Sequence, residues 1–239
     1  MGASLELIGV DGCRGGWVIA TSDAGFSRLT FAVVNDLEPV IARAERGAGV
    51  IGIDIPIGLG DSGPRACDLE ARRLLGRPRA SSVFPAPCRA ALAARTYRRA
   101  CGLSRRALGV ALSLECFNIL PKIRQVDALM TPARQAFVRE VHPELVFALL
   151  AGRGRGLVEP KRTEAGERVR LRLLRRVVPR FDPGAVRARL GLAHVARDDV
   201  IDAVACLVAA RRIAKGEARV LPDATVFRDA RGLRMEIVG

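Results

Sequence analysis

The feature that most restricts this fold is Val50-Ile51-Gly52-Ile53-Asp54-Ile55, an apolar run interrupted by a single acid and ended by Pro56. A run so continuous and so rich in β-branched residues reads as a strand covered on both faces, which belongs at the centre of a sheet. An ionisable group inside such a run is costly unless it has a partner or a task. Asp54 is therefore a candidate functional residue from the outset.

Three shorter runs precede it. Leu5 to Val10 reads as a strand running into a turn at Asp11-Gly12, Trp17 to Ala20 as a second strand, and Leu29 to Val34 as a third. Their short connections predict an antiparallel meander. Leu37, Val40, Ile41 and Ala44 then recur at the spacing of a one-faced helix, with Asn35 and Asp36 as candidate caps and Pro39 tolerable in the first turn. Beyond the central strand, Pro64–Leu75 and Ser104–Leu120 read as helices, the second ending at Pro121, and Ser81–Pro87 as a loop. Phe137–Val141 reads as a fifth strand, and Pro143–Leu150 and Thr163–Val178 as helices. A last helix starts near Asp198, buries Ile201, Val204, Ala205 and Val208, and stops at Gly216. The expectation is an α/β fold: a mixed five-stranded sheet, three antiparallel strands and then parallel ones, flanked by helices. It is read as one domain over residues 1–239, with a helical insertion around 60–135.

This topology carries a chemical implication. A helix crossover returns the fourth strand parallel to the first, so Asp11 and Asp54 become neighbours. Asp199 and Asp202, three apart on the last helix, share a face beside its buried stripe. Four carboxylates crowded together repel one another unless a cation joins them. Asp11, Asp54, Asp199 and Asp202 are thus candidate ligands for Mg²⁺ or Mn²⁺, ions that favour oxygen donors. Each also has a plainer reading: Asp11 as a turn residue, and one of Asp198 and Asp199 as a helix cap. Glu140 and His142 fall on one face of the fifth strand, either as metal ligand and proton shuttle or as a hydrogen-bonded structural pair.

Composition narrows the partners. Hydrophobic residues make up 49% and charged residues 27% of the 239, the balance of a globular chain. No apolar run reaches the roughly 18 residues of a membrane span, so no membrane partner is expected. Met1 to Glu6 offers no basic stretch followed by an apolar core, so no signal peptide is expected and the cytoplasm is the default address. The six cysteines, at 13, 67, 88, 101, 116 and 206, lack metal-finger spacing and read as reduced, mostly buried thiols. With two histidines, His142 and His194, a zinc site is poorly supplied. The net charge of +14 favours a polyanion such as DNA or RNA, or else reflects an arginine-rich surface. Candidate contacts to substrate phosphate are Arg14, in the glycine-rich stretch 9–16, together with Lys122, Arg124, Lys161 and Arg162. A second copy of the chain is a further candidate partner.

The motifs GVDGCRGGW (9–17), GIDIPIGL (52–59), CDLEARRLLG (67–76), SSVFPAPCRAAL (81–92), LPKIRQVD (120–127), EVHPELVF (140–147) and DDVIDAVACLVAARRIAKG (198–216) resemble, in this order, those of the DUF429 family of predicted RNase H-like nucleases. The resemblance implies an RNase H-like sheet with Asp11 and Asp54 at its two strand acid positions. It also makes Asp199-Val200-Ile201-Asp202-Ala203 similar to the D-x-x-D-A signature of Holliday-junction resolvases, and Glu140, His142 and Glu144 part of a family motif. Gln125 departs from the acid expected after Lys122-Ile123-Arg124. The implied activity is hydrolysis of nucleic-acid phosphodiester bonds by a carboxylate-bound two-metal mechanism. The alternatives are an actin-like ATPase or kinase-type phosphate site and a non-catalytic nucleic-acid-binding protein.

Overall fold

The computed structural model describes residues 5–152 and 154–239. Part of the N-terminal stretch read for a leader (1–4), and Arg153, lie outside the described residues. Strands β1 (Glu6–Cys13), β2 (Gly16–Asp23) and β3 (Thr30–Val34) form the antiparallel meander, and helix α1 (Glu38–Gly47) crosses over to β4 (Val50–Ile53). β4 runs parallel to β1, with Val10 opposite Ile53, and β5 (Val138–Glu140) runs parallel to β4. The sheet order β3-β2-β1-β4-β5 is that of the mixed α/β sheet expected from the sequence.

Between β4 and β5 lie α2 (Ala66–Arg79), α3 (Tyr97–Leu108) and α4 (Leu114–Leu129). After β5 come α5 (Pro143–Leu150), α6 (Glu164–Arg175), α7 (Pro183–Leu190) and α8 (Arg197–Ala214). Alternation along the strands builds two cores. Ile8, Val10, Ile51 and Ile53 pack with Val40, Ile41 and Ala44 of α1 and Leu120, Ile123 and Val126 of α4. On the other face Leu7, Val18 and Ala20 pack with the long buried stripe of α8. Two glycines let α8 lie against the strands. A Cβ on Gly9 would stand 2.0 Å from the Ala203 carbonyl oxygen, and one on Gly52 2.5 Å from that of Cys206. The helix thus meets the sheet backbone to backbone.

Several sequence expectations are corrected. Asp11-Gly12 is not a turn: β1 pairs with β2 as far as Cys13 opposite Gly16, and the hairpin turns at Arg14-Gly15. The helix expected over 104–120 is two helices. Gly109, at φ 75°, closes α3, and the Ser113 side chain caps α4 by accepting the Cys116 N–H. Pro121 lies inside α4, which continues because Ile123 and Val126 still bury their side chains in the core. α7 was not foreseen, although Asp182-Pro183 is a start signal: the Asp182 carboxylate accepts from the N–H groups of Gly184 and Ala185. Four two-residue strands also follow α8, β6 (Val220–Leu221), β7 (Phe227–Arg228), β8 (Arg234–Met235) and β9 (Ile237–Val238), and β9 bridges through Val238 to Val141 beyond β5. All six cysteines are free and buried. Among the described residues, no helix is long and apolar enough to cross a membrane.

Candidate active site

The strand register brings the acids together. Asp11 follows Val10, and Asp54 follows Ile53, its register partner; the Asp54 N–H donates to the Val10 carbonyl at 3.0 Å. Both acids lie two residues beyond the glycines that seat α8, so they face that helix. Asp202 immediately precedes Ala203, whose carbonyl sits over Gly9. Asp11 and Asp202 are 8% and 3% exposed.

The electrostatics follow from this crowding. Burial pushes the Asp11 carboxyl well above 3.8, the nearby charges of Asp54 and Asp202 push it further, and Lys161 opposes them. Burial lifts Asp54 to about 6, against His142 and with Asp202. Asp202 is likewise raised by burial and opposed by Lys161, whose Nζ donates to its Oδ2 at 2.9 Å. The Lys161 Nζ also stands 4.0 Å from Asp198.

Asp199 is employed differently. Its Oδ2 accepts the Ala196 N–H at 2.8 Å, so the cap is Asp199 rather than Asp198. The Asp11 Oδ1 accepts the Gly12 N–H at 2.7 Å. Among the described residues, no three His, Cys, Asp or Glu side chains already enclose a position for one metal ion. The four-aspartate set is therefore not preassembled, because Asp199 serves the helix end and Asp202 is held by Lys161. The donor chemistry of Asp11, Asp54 and Asp202 nevertheless fits Mg²⁺ or Mn²⁺: the three are crowded carboxylates, and among the described residues no hydrogen bond reaches the Asp54 side chain.

A cleft of about 590 Å³ opens beside these acids, lined by Asp54, Asp202, His142, Lys161, Arg162 and Phe84 among others. Glu140 and His142 do not bond to each other. Arg65 grips Glu140 through two hydrogen bonds of 2.7 and 2.8 Å and grips Asp68 as well, all three side chains being buried. Arg65 also donates to the carbonyls of Ile57 and Gly58, and Glu140 accepts the Ile57 N–H at 2.6 Å. Glu144 holds Arg170 in the same bidentate way, at 2.7 and 2.8 Å. Arg170 in turn donates to the Glu159 carbonyl, two residues before Lys161. The glutamates of EVHPE thus anchor two separate segments beside the cleft, Ile57–Gly58 through Arg65 and Glu159 through Arg170. Arg65→Met would leave Glu140 and Asp68 buried without their counter-charge. It should cost about 3–5 kcal/mol, read as a fall in the urea midpoint.

His142 bonds through Nε2 to the Ser82 carbonyl at 3.2 Å, while its buried Nδ1 meets no partner among the described residues. A carbonyl only accepts, so Nε2 donates, and in the neutral form of the ring Nδ1 is left to accept. Lys122 does not join the cleft. It lies beside Gly12 on the opposite face of the sheet, donates to the Gly16 carbonyl and covers the Trp17 ring at 4.8 Å. Arg14 is exposed at the hairpin tip. Gln125 accepts from the Trp17 indole at 2.6 Å and donates to the Asn35 carbonyl at 2.9 Å. A carboxylate could not do both, which accounts for an amide there. Sequence reasoning missed Arg65, Asp68 and Arg170, because the glutamate partner of Arg65 lies 75 positions away and no local pattern marks such a pair.

No curated protein and no solved structure matches the chain. The model of the family described as "Protein of unknown function (DUF429)" matches residues 9–226, which include both strand acids, the EVHPE segment and the acids of α8. The chain belongs to the DUF429 family.

Proposed function

We propose that this chain is a metal-dependent phosphodiesterase acting on nucleic acid, DNA or RNA. One observation carries the reading: Asp11, Asp54 and Asp202, from three distant parts of the chain, crowd together at one end of the sheet beside an open cleft. Burial raises all three carboxyls, neighbouring acids add to it, and together they create a demand for positive charge. The chemistry that Mg²⁺ or Mn²⁺ supplies when bound to such carboxylates is activation of water and stabilisation of a leaving oxygen.

The protein's own groups have separate tasks in this reading. Asp11, Asp54 and Asp202 hold the cation, and Asp199 keeps the start of α8 in place. Arg162 and Lys161 line the cleft and bind substrate phosphate. His142 offers Nδ1 as a proton acceptor, its ring oriented by Ser82. The net charge of +14 draws a polyanion toward the cleft.

A second reading is favoured by the Lys161–Asp202 pair: the acids are neutralised internally, and the chain binds nucleic acid without cleaving it. Labelled single-stranded, duplex and branched DNA and RNA, incubated with Mg²⁺ or Mn²⁺ and with EDTA, separate the two. Cleavage that requires the metal is the expected result. Binding that persists in EDTA, with every substrate intact under both metals, overturns the phosphodiesterase reading.

A further inference from the structure

Lys161 is the cation nearest the acid cluster, and three features of its setting show that the place is built. Its Nζ lies 2.9 Å from Asp202 and 4.0 Å from Asp198, and it feels Asp11 and Asp54 as well. Its main chain is anchored on both sides. The Arg170 guanidinium, itself held by Glu144, bonds the Glu159 carbonyl, and the Thr163 hydroxyl donates to the Pro160 carbonyl at 2.8 Å. The side chain is nonetheless 38% exposed and lines the cleft beside Arg162. A long flexible stem on a fixed base can swing between the acids and a ligand in the cleft.

We propose, on the basis of the phosphodiesterase reading, that Lys161 is an exchangeable counter-ion that competes with the divalent cation for Asp202 and surrenders it when substrate phosphate draws the ammonium into the cleft. An ammonium and a divalent cation on one buried carboxylate repel each other, so metal uptake is opposed by the 2.9 Å contact and favoured when it breaks. A phosphodiester that engages the ammonium helps break it. Metal and polyanion therefore bind cooperatively, each strengthening the other by the same factor. Metal retention in the absence of substrate is correspondingly weak.

The test is calorimetric titration of Mn²⁺ into the whole protein, with and without a non-hydrolysable phosphorothioate oligonucleotide. Wild type should bind Mn²⁺ weakly alone and roughly tenfold more tightly with the oligonucleotide, within the ordinary range of coupling between sites. Lys161→Met should bind Mn²⁺ about tenfold more tightly than wild type alone, with little further gain from the oligonucleotide. Lys161→Gln, which keeps a hydrogen bond to Asp202 without the charge, covers the case in which the methionine variant fails to fold. Equal or weaker Mn²⁺ binding in the folded variant overturns the exchange and leaves the phosphodiesterase reading standing. No Mn²⁺ binding by either protein, with or without oligonucleotide, overturns both.

Discussion

Asp54→Asn should abolish metal-dependent cleavage, by a factor of roughly a thousand or more, while making the metal-free protein more stable. The loss follows from position: Asp54 lies beside Asp11 at the sheet end, and an amide neither carries the charge nor binds a hard cation as a carboxylate does. The gain follows from burial, since ionising this group in the fold is costly enough to lift it to about 6 from 3.8. The sign is fixed by linkage. A carboxyl raised on folding is neutral in both states below 3.8, and above that value the unfolded chain ionises first. Metal-free wild type should therefore lose stability as pH rises from about 4 to about 6, and Asp54→Asn should lose less of it. Thermal melts in EDTA across that window, beside Mn²⁺-dependent cleavage assays, check both halves. An asparagine variant that turns over at the wild-type rate rejects the site, and one that melts lower at neutral pH rejects the electrostatic account.

Gly9→Ala should be severely destabilising for a change of one methyl. The added Cβ would lie 2.0 Å from the Ala203 carbonyl oxygen and 2.3 Å from the Leu207 nitrogen, and backbone cannot step aside as a flexible side chain can. Helix α8 must lift off the sheet, exposing the core shared by Leu7, Val18, Val204 and Leu207. A cost of about 4 kcal/mol or more is expected, a large part of the 5–15 kcal/mol net stability typical of domains. Gly47→Ala is the control, because its added methyl meets nothing within 4 Å. It should stay within about 1 kcal/mol of wild type and on the favourable side, since alanine suits a helix better. Urea denaturation of the three proteins reads both numbers. A Gly9→Ala protein as stable as wild type rejects the close seat of α8 on β1.

Much of this architecture is legible in the sequence because it rests on local periodicity. The run Val50–Ile55, the one-faced pattern of α1 and the apolar stripe of α8 each declare an element. The parallel return of β4 then follows from chain connectivity. The placement of Asp11, Asp54 and Asp202 near one another was accessible for the same reason. What stayed hidden depends on contacts between distant segments. Asp11-Gly12 has the composition of a turn, but pairing with β2 carries the strand through it to Cys13. Pro121 has the chemistry of a helix breaker, and burial of its neighbours overrides it. Glu140 reads equally as a ligand or as a structural partner of His142 until Arg65 is placed opposite it, and Lys122 as a phosphate contact until it is found over Trp17.

The five residues from Glu140 to Glu144 reach two distant segments, Ile57 through Arg65 and Glu159 through Arg170. The segment works as a yoke. A tilt at this single junction would be felt by Arg65 and Arg170 together and, through Arg170, by the backbone that carries Lys161.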